Sequence, residues 1–325
     1  MRAIHRRVFV KTATAAGLTG LGLGPWRSAN GGAEGVAGKR KFTMGLGCGH
    51  IGVAADQRQA MRFAQQYGFE AVEPAPGFLN KLSDAELQEL LADLEAKKLV
   101  WAAAGLPLDF RGDEARFREG LERLGEFARG LERAGVSRVA TWLSPSHRSL
   151  TYVANFRQHA RRLREAAKVL ADHGQRLGLE YVGPKTSWTA GRFPFIHTMA
   201  EMKDLIAEIG RDNVGFLLDS WHWYTAEETE ADLLALQGRD VVACHLNDAP
   251  QGIPVDQQVD NRRALPCATG VIDLKGFLGA LVKIGYDGPI VAEPFSKELR
   301  VLAPEEAVAA TAAAMKKAFA LVQPE

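Results

Sequence analysis

From Lys41 onward the chain alternates short apolar runs with longer stretches whose apolar positions recur every three or four residues. The short runs lie near residues 42–47, 70–74, 100–103, 138–142, 177–182, 214–218, 241–246 and 290–293, bounded by Gly, Pro or polar residues as buried strands are. Helical patterns fall between and after them, near 56–67, 84–97, 114–134, 152–173, 198–209, 226–235, 274–284 and 304–322. In the third of these, Leu121, Leu124, Phe127, Ala128 and Leu131 share one face, the spacing of a helix that buries a stripe. Ser83-Asp84-Ala85-Glu86 has the form of a capping box, in which serine and glutamate satisfy orphan N–H groups of the first turn. Gly68, Gly135, Gly174 and Gly285 follow helix ends, where a left-handed residue closes the last turn. Eight strand and helix units with nothing left over predict an α/β fold closed as a TIM (β/α)8 barrel, in a single domain. A doubly wound open sheet is the alternative, and dinucleotide binding is not expected.

Residues 1–38 read differently. Arg6-Arg7-x-Phe9-x-Lys11 precedes a weakly hydrophobic Gly/Ala/Leu stretch from Thr12 to Gly24, the order of parts in a twin-arginine signal peptide, which a receptor reads and which is then removed. The expectation is a twin-arginine (Tat) signal and linker over 1–38 and a barrel over 39–325, exported by the Tat machinery to the periplasm; cleavage is expected between Ala29 and Lys39. A basic tail is the alternative. The hydrophobic stretch is too short and glycine-rich for a stable membrane helix, and no other reaches the ~18 apolar residues required.

Charge and cysteine content add exclusions. The whole chain carries +1; losing residues through Ala37 removes five basic residues (Arg2, Arg6, Arg7, Lys11, Arg27) and one acidic (Glu34), leaving −3. No basic face for nucleic acid is expected. Cys48, Cys244 and Cys267 have no metal-ligand spacing; in an oxidising compartment one pair can bond, and the sequence does not choose which. Cys244 adjoins His245, and strand alternation sends it to the opposite face, into the core.

The candidate chemistry lies at the strand ends of the second half. Glu180, Asp219, His245 and Glu293 each stand at or just past the end of an apolar run, and a closed parallel barrel gathers such ends at one mouth. Three carboxylates and an imidazole gathered there call for a cation between them. Their O/N donors suit one divalent metal ion: Mg²⁺, Mn²⁺, Co²⁺ or Zn²⁺.

Several stretches then carry a resemblance: Gly68-Phe-Glu-Ala-Val-Glu73-Pro, Gly178-Leu-Glu180-Tyr-Val-Gly-Pro, Leu218-Asp219-Ser-Trp-His222, Val242-Ala-Cys-His245-Leu-Asn-Asp248, Arg263-Ala-Leu-Pro266 and Gly285-Tyr-Asp-Gly-Pro-Ile-Val-Ala-Glu293-Pro. In this order they resemble the xylose isomerase-like TIM barrels, the sugar phosphate isomerase/epimerase group. The resemblance implies Glu180, Asp219, His245 and Glu293 as metal ligands and Glu180 and Glu293 as the acid/base pair. It further implies that His222 binds substrate oxygens beside the metal and that Arg263 holds a hydroxyl or carboxylate with its planar fork of donors. Glu73, in a Val-Glu-Pro common to the family, is expected either to contact substrate or to be buried and structural. Lys185, just beyond Glu180, is expected to bind a substrate oxygen or to pair with an acid. His50, Trp101, Trp142, His147, Trp188 and Trp221 lie near strand ends, where their faces can stack on sugar C–H groups or build the wall. Residues 250–266 form a long loop expected to lid the site.

Such a site acidifies a proton beside a carbonyl, which one carboxylate removes and another acid returns. The first reading is therefore an isomerase or epimerase of a free sugar, keto-sugar or cyclitol by enediolate proton transfer. The alternatives are a metal-dependent lyase or dehydratase on a 3-keto sugar or keto-inositol, and a non-catalytic metal-dependent sugar-binding protein. A small carbohydrate is the expected partner, and a homo-oligomer is compatible with the sequence.

Overall fold

The computed structural model describes Lys39–Gln323; the twin-arginine segment and the linker up to residue 38 lie outside the described residues. Parallel strands β1 (Thr43–Leu46), β2 (Ala71–Val72), β3 (Val100–Trp101, resuming at Ala104–Gly105), β4 (Arg138–Trp142), β5 (Arg176–Glu180), β6 (Val214–Asp219), β7 (Val241–Leu246) and β8 (Pro289–Ala292) form one curled sheet. The first piece of β3 pairs with β2 (Ala71↔Val100) and the second with β4 (Ala104↔Val139). Both ends of the sheet thus fall on the same interrupted strand, and β1 pairs with β8 (Met44↔Ile290), so the sheet closes into a barrel. The sequence pattern predicts β3 as one uninterrupted run over 100–103; the break after Trp101 replaces it.

Eight helices follow the strands: α1 (Gln57–Tyr67), α2 (Asp84–Ala96), α3 (Glu114–Arg133), α4 (Tyr152–Ala171), α5 (Met199–Ile209), α6 (Glu230–Leu234), α7 (Leu274–Ile284) and α8 (Pro304–Ala320). The main core lies between sheet and helices, where Leu177 and Leu179 of β5 are packed with Leu163, Ala166, Ala167 and Leu170 of α4. Cys244 is buried, as alternation predicts, and Cys48, Cys244 and Cys267 are all free thiols. The Ser83–Glu86 capping box forms, and Gly68, Gly135, Gly174 and Gly285 all have positive φ. Among the described residues no helix is long and apolar enough to cross a membrane.

Three departures from the sequence pattern shape the mouth. The sixth helical pattern, over 226–235, is interrupted: a short helix, Ser220–Thr225, starts directly at the end of β6, Glu227 turns left-handed (φ 56°), and α6 begins only at Glu230. Its cause is Asp219, whose carboxylate accepts the Trp221 N–H at 2.8 Å and starts a turn at the strand end. The second departure is a bulge between β6 and β7, where Val241 faces Phe216 but Ala243 faces Leu217. That extra residue, Val242, brings His245 level with Asp219; an unbroken register would have put Cys244 there. Room for Val242 comes from two glycines: a Cβ on Gly178 would lie 3.2 Å from Val242 Cβ, and one on Gly215 would lie 3.2 Å from its Cγ2. The third departure is the run Gly47-Cys-Gly-His-Ile-Gly52, which has G-x-G-x-x-G spacing but folds as a 3-10 turn (Gly49–Ile51). Helix α1 starts separately, capped by Asp56, so these glycines do not build the helix N-terminus on which dinucleotide phosphates sit.

The long connection after β7 is held at its root. Asp248, fully buried, accepts the N–H groups of Ala249 (2.8 Å), Ile272 (3.0 Å), Thr269 (3.0 Å) and Gly270 (2.7 Å). One aspartate thereby fixes both ends of the segment from Ala249 to Ile272, and an Asp248↔Ala264 bridge brings its middle back toward the barrel.

Candidate active site

Glu180 ends β5, Asp219 ends β6, His245 lies near the end of β7 and Glu293 directly follows β8, so their side chains meet at the C-terminal mouth. One N or O atom of each lies within 4.8 Å of the others. Glu180, Asp219 and Glu293 are buried. His245 Nδ1 stands at ion-pair distance from both Glu180 Oε1 (3.6 Å) and Glu293 Oε2 (3.2 Å), but among the described residues neither His245 Nδ1 nor Glu180 Oε1, both buried atoms, has a partner in hydrogen-bond geometry. Buried polar atoms are almost always paired. Two orphans converging from neighbouring strands fit a site built to share a cation, and the O/N donor set fits a divalent one.

The protein also brings a cation of its own. Arg263, from the long connection, places Nη1 2.7 Å from Asp219 Oδ2 and 2.8 Å from Glu293 Oε2. Carboxylate repulsion therefore has two answers here, a guanidinium as well as a metal. The other arm of Arg263, Nη2, donates to Asp260 Oδ1 at 2.7 Å and lies 3.2 Å from His222 Nε2. His222 sits on the Ser220–Thr225 helix, and its Nδ1 accepts the Gly183 N–H at 3.2 Å, which leaves the ring proton on Nε2. Two donors 3.2 Å apart cannot bond each other; Asp260 Oδ1 already lies 2.7 Å from Nη2 and 4.0 Å from Nε2, and all three residues border one cavity.

Two further residues orient the cluster. Asn247 donates Nδ2 to both oxygens of Asp219 (3.0 and 3.1 Å), and its Oδ1 accepts the Glu293 N–H at 2.9 Å. His50, in the 3-10 turn after β1, bonds through Nε2 to Glu73 Oε1 at 2.8 Å and places Nδ1 2.9 Å from Glu293 Oε1. Gly47 clears the space: a Cβ there would lie 2.4 Å from His50 Cδ2 and 2.8 Å from Glu73 Oε2.

These contacts set the electrostatics. Burial, with the charges of Glu293 and Asp219, pushes the Glu180 carboxyl up to about 7 against the pull of His245. Glu293 is buried too, but His245, His50 and Arg263 outweigh that and hold it well below the usual carboxylate range. For His50, burial opposes the charged ring, yet Glu73 and Glu293 raise it to about 10. His245 is likewise raised by Glu293 and Glu180 against its burial. His222 goes the other way: burial and the charge of Arg263 lower it to about 3, so it is neutral.

Two cavities open onto the cluster, sharing Trp142, Glu180 and Glu293. One, of about 300 Å³, is bordered by Glu73, His50 and His245; the other, of about 400 Å³, by His222, Asp260 and Arg263. Of the residues singled out in the sequence, Glu180, Asp219, His245, Glu293, His222, Arg263 and Glu73 come together. Lys185 does not: it is half exposed, borders neither cavity, and lies 3.6 Å from Asp256 Oδ2. Its segment holds the long connection instead, since Thr186 Oγ1 donates to Gln258 O at 2.7 Å. Of the aromatic candidates, Trp142 and His50 reach the mouth; Trp221 is fully buried, Trp101 donates to Ala134 O, Trp188 stacks on His197, and His147 accepts backbone N–H groups of its own loop. Asn247 and the ionic role of His50 were not singled out in the sequence; Asn247 was open to detection, since it stands two residues past His245 and shares its face.

A family model of the xylose isomerase-like TIM barrel matches residues 61–318. An inosose isomerase of Bacillus velezensis is 25% identical over 257 residues, covering 77% of this chain and 88% of that protein. A 3-dehydroshikimate dehydratase of Pseudomonas aeruginosa is 28% identical over 240 residues, 72% of this chain but only 35% of that longer protein. Among solved structures, a xylose isomerase domain protein from Alicyclobacillus acidocaldarius superposes with a TM-score of 0.76 at 32% identity, over 87% of this chain and all of that one. The IOLI protein, solved with a binding zinc atom, superposes with a TM-score of 0.70 at 20% identity, over 86% of this chain and 98% of that one, a likeness of fold. The chain belongs to the xylose isomerase-like TIM barrel family.

Proposed function

We propose that this chain is a divalent-metal-dependent isomerase or epimerase of a free sugar, keto-sugar or cyclitol, acting by proton transfer beside a carbonyl. The observation that carries the reading is the convergence of Glu180, Asp219, His245 and Glu293 within 4.8 Å, with Glu180 Oε1 and His245 Nδ1 buried and outside hydrogen-bond geometry among the described residues. These four would hold the ion, which when bound draws charge onto carbonyl and hydroxyl oxygens and acidifies the adjacent C–H. Glu180 and Glu293, brought together from the ends of β5 and β8, are the proposed acid/base pair, one removing the proton and the other returning it. Return of the proton to the opposite face gives an epimer; return to the neighbouring carbon gives an isomer. The His222 and Arg263 donors bind a substrate oxygen in the cavity they both border, and Glu73 borders the same mouth through His50. The similarity to an inosose isomerase supports this reading.

The similarity to a 3-dehydroshikimate dehydratase favours a second reading, in which the same proton abstraction is followed by loss of a β-hydroxyl as water. Residues 1–38 are proposed as a Tat signal on the strength of Arg6-Arg7-x-Phe9-x-Lys11; Arg6→Lys with Arg7→Lys should then leave the protein in the cytoplasm.

The deciding experiment joins elemental analysis of the purified protein to NMR in D₂O with inosose and keto-sugars, using Glu180→Gln and Glu293→Gln as controls. One stoichiometric divalent metal and deuterium entering beside the carbonyl, lost in either variant, is the expected result. A change of product mass by one water selects the dehydratase, and failure to take up metal after reconstitution removes the proposed site.

A further inference from the structure

Asp260 stands apart from the four clustered residues yet reaches their mouth. The Arg262 N–H donates to Val259 O at 2.9 Å, so Asp260 and Asn261 are the two central residues of a tight turn, and both border the cavity of about 400 Å³. The turn is anchored to its surroundings. Two residues before Asp260, the buried Gln258 donates Nε2 to Ile253 O at 3.0 Å, and its backbone oxygen accepts Thr186 Oγ1 at 2.7 Å. Asp260 then holds Arg263 twice: its backbone oxygen accepts Nε at 3.1 Å, and Oδ1 accepts Nη2 at 2.7 Å. The other carboxylate oxygen, Oδ2, takes no hydrogen bond among the described residues, and the side chain is 28% exposed.

Three carboxylates border this cavity: Glu180 and Glu293 belong to the cluster, and Asp260 is the third. A carboxylate accepts hydrogen bonds and does not donate them. The open oxygen therefore matches a substrate O–H. It offers nothing to a carbonyl or ether oxygen, and an anionic group placed against it meets a like charge. Arg263 does not offset that repulsion, because its one positive charge is already divided among Asp219 at 2.7 Å, Glu293 at 2.8 Å and Asp260 at 2.7 Å.

We infer that Asp260 is a substrate-binding residue that accepts a hydroxyl hydrogen bond through Oδ2, and that the site takes neutral polyhydroxylated ketones and rejects those bearing a carboxylate or phosphate. This rests on the metal-dependent reading above and narrows its substrate class. The test titrates metal-reconstituted protein by calorimetry in wild type, Asp260→Ala and Asp260→Asn. The compounds are inosose, its monodeoxy analogues one position at a time, and 3-dehydroquinate, a ring ketone of the same size that carries a carboxylate. In wild type one deoxy analogue should bind about tenfold or more weaker than inosose, the factor that a hydrogen bond to a charged group supplies. Asp260→Ala should reduce that ratio to about twofold and leave the ratios at the other positions unchanged, as a coupling between one hydroxyl and one side chain requires. The acid should bind wild type about tenfold or more weaker than inosose, and Asp260→Asn should narrow that gap about tenfold. Equal weakening of every compound in Asp260→Ala, with all ratios kept, reduces Asp260 to holding Arg263 and overturns the hydroxyl contact. An acid that binds wild type as tightly as inosose overturns the rejection of anions. If metal is taken up and the neutral ketones bind with no dependence on Asp260, the subsite alone falls. If metal is not taken up, or no neutral ketone binds, the functional reading falls with it.

Discussion

Asn247 joins two of the four clustered residues, holding both oxygens of Asp219 with its amide and the backbone of Glu293 with its carbonyl. Outer partners of this kind orient ligating groups and typically change metal affinity 10–100-fold. Asn247→Ala should therefore weaken divalent-metal binding by about that factor while the fold survives, read by competition with a chelator and by circular dichroism; unchanged affinity would show that Asp219 is oriented by other means. Gly47 acts by absence, since an added Cβ would lie 2.4 Å from His50 Cδ2 and 2.9 Å from Val291 Cγ1. Gly47→Ala should cost about 1–3 kcal/mol in urea unfolding, the range for overpacking, and should lower turnover by displacing His50 from Glu73 and Glu293. The strand-end acids and His245 are legible in sequence because each follows an apolar run. The position of His50 near a strand end is legible too, but its ionic role is not, because its two carboxylate neighbours, Glu73 and Glu293, follow β2 and β8, elements its local sequence says nothing about.

The connection from Ala249 to Ile272 delivers Arg263 and Asp260 to the mouth, and Asp248 holds its two ends. In Asp248→Ala four backbone N–H groups lose their acceptor. Some of these will recover water, so the expected loss is about 3 kcal/mol rather than the full penalty for four orphans. Limited proteolysis should cut the variant within residues 250–266 and spare wild type; equal resistance would mean that the Asp248↔Ala264 bridge and the Thr186–Gln258 contact suffice. Most elements are legible because caps and periodicity act between near neighbours, as at Ser83–Glu86. The interrupted α6 is the exception: its pattern continues through 226–235, but a strand-end carboxylate starts a turn too early and Glu227 breaks the run.

At the scale of the whole barrel, acid stability should depend on a group remote from the cluster. His159 of α4 is buried against Phe110 and Phe195, with Nδ1 3.0 Å from Asn155 O and Nε2 unpaired. Burial, partly offset by that backbone contact, lowers it from 6.5 to about 4. The folded state then binds its proton less readily than the unfolded chain, so the stability it contributes is present above pH 6.5 and is lost as pH falls toward 4. Between pH 7.5 and 5 this loss is about 2 kcal/mol. His159→Gln should flatten that part of the pH dependence of the urea midpoint, and a variant as pH-sensitive as wild type would reassign the effect to other groups. The same distinction between local and distant contacts separates the two sources of this molecule's design. Sequence alone determined eight strand and helix units and the acids and imidazole at the ends of four strands, because periodicity, turn residues and caps are properties of neighbours in the chain. Only the tertiary structure decided that a bulge at Val242 sets His245 rather than Cys244 beside Asp219, that Arg263 enters between Asp219 and Glu293, and that Lys185 stays outside. Strand register and loop path set these outcomes, and both are settled by packing between segments far apart in sequence.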